Sequence, residues 1–146
     1  MGAPFAEALK GAPESIRPFL VGTLWTRERL WALELPVVAF AVADLEPLLD
    51  LPWWKIGDVR FRLSPATVLA RPGLHPEHDR RIAEADLGFP LHLTRLDGRL
   101  TILDGVHRLA RAVREDRAGV AVQLVPASLL GSLVEPDRDA LGTPRD

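Results

Sequence analysis

The feature that most restricts the fold is a short strand that passes through a single glycine into a helix, between residues 100 and 115. Residues 100–103 are apolar and typical of a strand, and Asp104-Gly105 marks a turn. The apolar positions that follow have the spacing of one buried helical stripe: Val106, Leu109, Ala110 and Val113. Burial of each large aliphatic side chain on this stripe stabilises the fold by about 1.5–3 kcal/mol.

The start of this helix is a candidate phosphate-binding site. The first backbone N–H groups of a helix lack intrahelical acceptors, and the helix dipole is positive at that end. Asp104 is predicted to cap the helix by accepting from the N–H of Val106 or His107. Gly105 allows a ligand to approach closely, Arg108 offers a planar pair of donors, and His107 supplies a donor or a base. The simpler alternative is that Asp104 only caps the helix and the arginines only contact solvent.

Much of the remaining apolar pattern in the sequence is typical of β-strands. Asp97-Gly98 between two alternating runs is the strongest hairpin signal in the chain and predicts a type I′ turn. Three further strands are predicted from their apolar residues, at 29–42, 59–63 and 120–124. Residues 37–42 are apolar on both faces, so we expect this run to lie centrally in a sheet or against a partner.

Capping residues and prolines indicate where helices begin and end. Asp44 is predicted to cap a short helix, and Ser64-Pro65 to begin another. A third helix is predicted to begin at Pro76, with Gly88 as the residue just beyond its end. Helices and strands therefore interleave irregularly. This order predicts an α+β domain with helices packed on a mixed sheet, rather than a doubly wound fold.

The strand–glycine–helix segment resembles the signature loop of the ParB/sulfiredoxin superfamily. This loop reads Gly-Cys-His-Arg in sulfiredoxins, Gly-Glu-Arg-Arg in ParB partition proteins and Asp-Gly-His-His-Arg in the related free serine kinases. Residues 104–108, Asp-Gly-Val-His-Arg, are closest to the last of these. Upstream, a helix that ends at Gly88 and an entry into the hairpin through Phe89-Pro90 are also similar. The resemblance covers residues 59–126 and implies a ParB/sulfiredoxin-like mixed sheet with an N-terminal extension.

The same resemblance implies that the loop binds a nucleotide. The expected ligand is ATP, ADP or CTP together with Mg²⁺. The implied nucleotide-binding residues are Gly105, Val106, His107, Arg108 and Arg111. His107 and Asp104 are the candidate catalytic residues, and Asp104 is also the candidate Mg²⁺ ligand, because Mg²⁺ often binds one carboxylate together with phosphate oxygens.

Two departures from the family pattern restrict the chemistry. Val106 stands where sulfiredoxins carry their cysteine, and the chain has no cysteine, so sulfiredoxin activity, disulfides and thiolate metal sites are excluded. Ala66 follows Ser64-Pro65 where free serine kinases tend to carry a catalytic glutamate, which argues against serine kinase activity.

Length and charge restrict the organisation of the chain. Its 146 residues suit one domain, which we expect at 21–134, with an N-terminal arm at 1–20 and a flexible tail at 135–146. The net charge of −2 gives no overall basic field, so nucleic acid is not an expected partner. No signal peptide or membrane span is predicted, and the expected location is the cytoplasm.

Two other clusters invite functional interpretations. Trp53-Trp54 would suit stacking on a base, but the area that an indole buries favours at least one of them as a core residue. His75 and His78, with acidic neighbours, suggest a metal site. Pro76 between them disfavours the regular helical face that such a pair needs, so a solvated helix start is favoured.

Three functions are compatible with these features. The first is a nucleoside-phosphate-binding protein that acts as a Mg²⁺-dependent phosphotransferase or nucleotide hydrolase. The second is a non-catalytic nucleotide sensor or interaction module, in which nucleotide binding orders the N-terminal arm for a protein partner. The third, DNA binding or nuclease activity, requires four arginines to share one face: Arg60, Arg62, Arg108 and Arg111.

Overall fold

The described part of the chain, residues 11–20 and 25–133 of a computed structural model, has a mixed α+β architecture. In chain order its helices and strands are α1 (Arg27–Trp31), β1 (Val37–Ala41), α2 (Val42–Leu45), β2 (Trp54–Ile56), β3 (Val59–Leu63), α3 (Pro65–Ala70), α4 (Pro76–Glu84), β4 (Leu91–Leu96), β5 (Arg99–Asp104), α5 (Val106–Arg114) and β6 (Gly119–Val125). Short 3₁₀ helices lie at Arg17–Phe19, Glu46–Asp50 and Ala127–Leu133. The predicted α+β class is confirmed.

The main sheet has four strands in the order β1-β6-β4-β5. The β1–β6 and β4–β5 pairs are antiparallel and the β4–β6 pair is parallel, so the sheet is mixed, as predicted. Strands β2 and β3 form a separate two-stranded sheet. Asp97 and Gly98 both have positive φ, at 52° and 79°, and this combination is the one that a type I′ hairpin turn requires.

Apolar side chains cover both faces of the main sheet. The larger cluster joins the sheet to helices α2 to α5, and Leu91, Leu93 and Leu109 are fully buried in it. A smaller cluster on α1, β5, β6 and the last 3₁₀ helix contains Leu30, Leu103, Val125 and Leu133. The predicted stripe of α5 is confirmed, since Leu109 and Ala110 have no exposed surface and Val106 and Val113 pack against the larger cluster.

Part of the predicted N-terminal arm packs on the domain. Ala12 and Ile16 are buried together with Phe61 of β3, and the hydroxyl of Thr101 donates to the carbonyl oxygen of Phe19. Residues 11–20 therefore contribute to the core. The remainder of the arm, residues 1–10, and the predicted tail at 135–146 lie outside the described residues.

The prediction for residues 29–42 is wrong in two respects. Residues 27–31 are helical, because the side chain of Thr26 caps α1 by accepting from the backbone N–H of Arg29. The strand β1 lies at the edge of the sheet, so the predicted central place is wrong. Val37 and Val38 are 57% and 43% exposed, and the alternative that this run packs against a partner stays a prediction. The central place is taken by β6, which returns after α5 to pair in parallel with β4.

Two helix boundaries also differ from the prediction. Helix α2 begins at Val42, so Asp44 lies inside its first turn and does not cap it. Helix α4 ends at Glu84, before Gly88, and its C-cap residue Ala85 has an extended backbone. A guanidinium nitrogen of Arg111 donates to the carbonyl oxygens of Ala83 and Ala85 at this end, at 3.0 Å and 2.6 Å. By contrast, Ser64 caps α3 by accepting from the N–H of Thr67, as predicted.

Gly105, not Asp104, is the N-cap residue of α5, so the capping role predicted for Asp104 is wrong. Gly105 adopts a left-handed conformation with φ of 111°, which places its Cα against β4. A Cβ atom at this position would lie 3.0 Å from the Cγ of Leu91. Only a residue without a side chain allows the chain to turn from β5 into α5 this close to Leu91.

Replacing Gly105 by alanine is expected to destabilise the fold by about 1–3 kcal/mol, because the new methyl group meets Leu91 and the left-handed backbone becomes strained. Chemical denaturation measures the change. Gly131→Ala is the matched control, since a Cβ there meets no atom within 4 Å. Equal stability of Gly105→Ala and the wild type would contradict the close-approach argument.

Candidate functional site

The first turn of α5 presents its side chains to two different cavities. His107 contacts Trp54 and His78, which line a cavity of about 810 Å³ between the β2–β3 hairpin and the start of α4. Arg108 lines a smaller cavity of about 390 Å³ on the other side. The predicted loop residues therefore do not converge on one point, and they contribute to two separate cavities.

The larger cavity has a basic lining with aromatic walls. Its basic side chains are Lys55, Arg60, His75, His78 and Arg81, and both Trp53 and Trp54 contribute to its surface. Within the described part of the chain, Lys55, Arg60 and Arg81 have no carboxylate partner. The acidic Glu77 at the cavity edge is paired with Arg80, at 3.2 Å. Unpaired cations in a concave surface raise the local concentration of anions.

Two histidines and a tryptophan form a stack beside this cavity. The indole of Trp54 lies nearly parallel to His78 and to His107, with ring centroids 4.2 Å and 4.3 Å away. The two imidazoles lie edge to edge, and Nδ1 of His78 is 3.1 Å from Nε2 of His107. Such a bond needs one donor and one acceptor, which a neutral pair supplies. The stack brings together residues from β2, α4 and α5.

The histidines of the stack are neutral at neutral pH. Burial lowers the pKa of His107 to about 3, and the nearby charges of Arg81 and His78 act in the same direction. Burial also lowers the pKa of His78, again with a contribution from Arg81. His107 is therefore a neutral hydrogen-bonding group and not a cation. Positive charge at the cavity comes from Arg81, Lys55 and Arg60.

Asp104 lies between an indole N–H and two guanidinium groups. Its Oδ2 accepts a hydrogen bond from the indole N–H of Trp31 at 2.9 Å and lies 3.6 Å from a guanidinium nitrogen of Arg108. Its Oδ1 lies 3.6 Å from Nε of Arg27. Two guanidinium groups beside a carboxylate oppose a cation there, and no group of three acidic, histidine or cysteine residues in the described ranges is placed to hold a metal. Asp104 does not fit the predicted role of Mg²⁺ ligand.

The remaining loop residues have structural contacts. Arg108 donates to the carbonyl oxygen of Pro90 at 3.2 Å, and Val106 packs against the core. Arg111 binds the end of α4 and Glu115, which lies 2.7 Å from its Nε. Arg62 donates to backbone carbonyls of its own strand. Of the four arginines in the DNA-binding hypothesis, Arg60 lines the larger cavity, and the other three contact different parts of the fold.

The basic cavity was not predicted from the sequence. Its cations come from β2, β3 and α4, and none belongs to the signature loop. The core prediction for the tryptophans is confirmed for Trp54, which is 8% exposed, whereas Trp53 is half-buried and donates its indole N–H to the carbonyl oxygen of Leu48. The available signal was the alternation of Arg60 with apolar neighbours, which indicated a basic outer face on β3.

Comparisons of this chain with protein-family models, with curated proteins and with solved structures give no match. The ParB/sulfiredoxin resemblance therefore stays a prediction from the loop. Among the residues that the structure describes, no helix has the length and apolar character needed to cross a membrane.

Acid is expected to destabilise the protein through the histidine stack. The pKa of His107 is about 3 when folded and close to the ordinary value of 6.5 when unfolded, so between these values the unfolded chain binds the additional proton. The free energy of unfolding should fall as the pH is lowered through this range, by at most about 1.4 kcal/mol per pH unit for one proton. Denaturation series at several pH values measure this slope.

The His107→Gln variant should show a shallower slope, because the group that the unfolded state protonates is gone. His75→Gln is the control, since His75 lies at the same cavity but outside the stack. An equal loss of slope in both variants would contradict the stack as the source of the acid sensitivity.

Proposed function

We propose that this protein binds a nucleoside phosphate in the larger cavity. The observation that carries the proposal is a group of three cations, Lys55, Arg60 and Arg81, that line one concave surface and have no carboxylate partner among the described residues. Guanidinium and ammonium groups are the side chains that bind phosphate oxygens best, and they are most effective where no carboxylate competes. The volume of about 810 Å³ lies within the range of small-ligand sites.

The aromatic wall supplies the second half of such a site. Trp53 and Trp54 line the cavity, and the adjoining His78 is neutral. The uncharged base of a nucleotide can therefore pack against this wall while the cations bind its phosphates. In this arrangement the phosphates of ATP, ADP or CTP contact the guanidinium groups, and the base lies toward the indoles.

The ParB/sulfiredoxin-like fold is part of this proposal. The β4–β5 hairpin, the Gly105 turn and α5 follow one another in the order that the resemblance implies. The first turn of α5 adjoins the cavity through the contact of His107 with Trp54. Arg111 and Asp104, by contrast, are occupied in supporting neighbouring elements, so we assign them no direct contact with the nucleotide.

Titration of the protein with ATP, ADP and CTP, each with Mg²⁺, tests the proposal by calorimetry. Arg81→Ala is expected to weaken binding by about tenfold or more, since a hydrogen bond between charged groups contributes about 1.5–3 kcal/mol. Arg80→Ala is the matched control, because Arg80 is the preceding residue on α4 and pairs with Glu77 and Glu84. Affinity should fall with added salt in the wild type.

The absence of binding by all three nucleotides at millimolar concentration would overturn the proposal. Equal weakening by Arg81→Ala and Arg80→Ala would also count against it, because the effect would then be one of net charge.

Binding without turnover is the form of this function that the geometry favours. Phosphoryl transfer needs a metal or a base beside the reacting phosphate. Asp104 accepts a hydrogen bond from Trp31 and lies beside two guanidinium groups, which oppose a metal cation there, and His107, whose pKa is about 3, is a weak base. The protein then acts as a nucleotide sensor, and residues 11–20, which pack on Phe61 of the cavity wall, connect the described part of the N-terminal arm to the ligand site.

A Mg²⁺-dependent phosphotransferase or nucleotide hydrolase is the second candidate, supported by the neutral imidazole of His107, which is able to accept a proton. Phosphate release from ATP and CTP over hours distinguishes the two. We expect release no faster than in buffer, and no change on His107→Gln. Release that depends on His107 would establish the enzyme instead.

A further inference from the structure

The two edges of the main sheet differ in how they are covered. At the β5 edge, the 3₁₀ helix at Arg17–Phe19 lies against the strand, which has charged residues at both ends, Arg99 and Asp104. At the β1 edge, the strand is uncharged, contains no proline, and has four of its five residues exposed. Charged side chains, prolines and covering segments are the features that keep a strand edge from pairing with another chain. In the described structure, the β1 edge has none of these.

The register of the β1–β6 pair shows which backbone groups of β1 point into the sheet. In an antiparallel pair, every second residue directs its N–H and C=O groups to the neighbouring strand, and the residues between direct theirs away from it. The N–H of Val42 donates to the carbonyl oxygen of Ala118 at 2.9 Å, in the same register as the β1–β6 pairs. Counting back by two residues, the backbone groups of Phe40 and Val38 also face β6.

The residues that direct their backbone groups to the open edge are Val37, Ala39 and Ala41. Pro36 has no N–H group, but its position in the alternation faces β6, so it removes no donor from the open edge. The carbonyl group of Ala41 belongs to the first turn of α2, because Ala41 is the N-cap residue of that helix. The outward N–H groups of all three residues and the outward carbonyl groups of the first two therefore remain for a further strand.

Apolar side chains accompany these backbone groups on both faces of the strand. Val37 is 57% exposed and Val38 is 43% exposed, and successive residues of a strand point to opposite faces. Water can pair with the outward N–H and C=O groups, but it gains nothing from the valines. A strand added to this edge would pair with the backbone groups and cover both valine side chains.

The strand β1 is complementary to a second copy of itself in the antiparallel direction. With Ala39 on a two-fold axis, its outward N–H and C=O groups pair with those of the partner's Ala39, and Val37 lies opposite Ala41, a large residue beside a small one. Val38 lies opposite Phe40 in a non-hydrogen-bonded pair, in which side chains are closest, and β-branched and aromatic residues pair favourably there. No charged residue meets a like charge in any of these pairs, because the strand has none.

We propose that two copies of this chain associate through β1, antiparallel about Ala39, so that their two four-stranded sheets join into one continuous sheet. A strand of five residues is about 17 Å long, and an interface built on it lies at the low end of the areas of specific complexes. The expected dissociation constant is therefore on the order of micromolar to tens of micromolar. The interface contains no residue of the basic cavity, so the inference goes beyond the nucleotide-binding function proposed above.

Sedimentation equilibrium of the full chain, from about 1 µM to about 500 µM, measures the association. The mass should rise with concentration from that of one chain toward that of two. Amide hydrogen exchange, followed by NMR over the same range, identifies the surface. The N–H groups of Val37, Ala39 and Ala41 should exchange more slowly as the concentration rises. Those of Val38 and Phe40 are the internal control, because they already face β6 in the single chain.

Ala39→Lys and Ala39→Glu should each raise the dissociation constant about tenfold or more, because two like charges would then face each other across the two-fold axis. Both variants should fold, since Ala39 is exposed in the single chain. An equimolar mixture of the two variants should recover the association, because lysine then faces glutamate. Val59→Lys is the matched control: Val59 is 50% exposed on the separate two-stranded sheet, and the variant should associate as the wild type does.

The mass of one chain at every concentration would overturn the proposal, as it would if a segment of the same chain or an unrelated peptide were the occupant of this edge. Association of Ala39→Lys equal to that of the wild type would also overturn it, and so would a mixture of the two variants that stays monomeric. Failure of this proposal is distinguishable from failure of the nucleotide site. Ala39→Lys should bind ATP as the wild type does, and Arg81→Ala should associate as the wild type does.

Discussion

The rest of the structure depends on the absence of a side chain at Gly105. Its Cα approaches Leu91 of the neighbouring strand so closely that a Cβ would lie 3.0 Å from a leucine carbon. This approach starts α5 against the sheet and buries Leu109 and Ala110 completely. It also fixes the directions of the first-turn side chains, so that His107 joins the aromatic stack and Arg108 reaches the opposite cavity.

Two polar side chains beside this turn, Asp104 and His92, have contrasting environments. Asp104 accepts a hydrogen bond from an indole N–H and lies 3.6 Å from two guanidinium groups, and these contacts join α1, β5 and α5. A carboxylate placed in this way links neighbouring elements of the fold. His92, its cross-strand neighbour, is buried, and burial lowers the pKa of its imidazole, which is therefore neutral.

Charge placement separates the two cavities. Among the described residues, the three cations that line the larger cavity have no carboxylate partner, whereas the one arginine of the smaller cavity lies 3.6 Å from Asp104. The first surface is therefore the one that attracts an anion. The neutral stack of Trp54, His78 and His107 stands between α5 and the basic cavity, and its low pKa values follow from burial beside Arg81.

The sequence by itself determined the elements whose signals are local. The Asp97-Gly98 hairpin, the Ser64 cap and the stripe of α5 depend on residues within a few positions of one another, and all three are confirmed. Tertiary structure alone decided which strand lies at the edge, which residue caps α5 and which side chains meet. The stack of Trp54, His78 and His107 joins residues far apart in the chain, as does the cross-strand pairing of His92 with Asp104 and Gln123. Their register and burial arise only when the sheet and helices pack together.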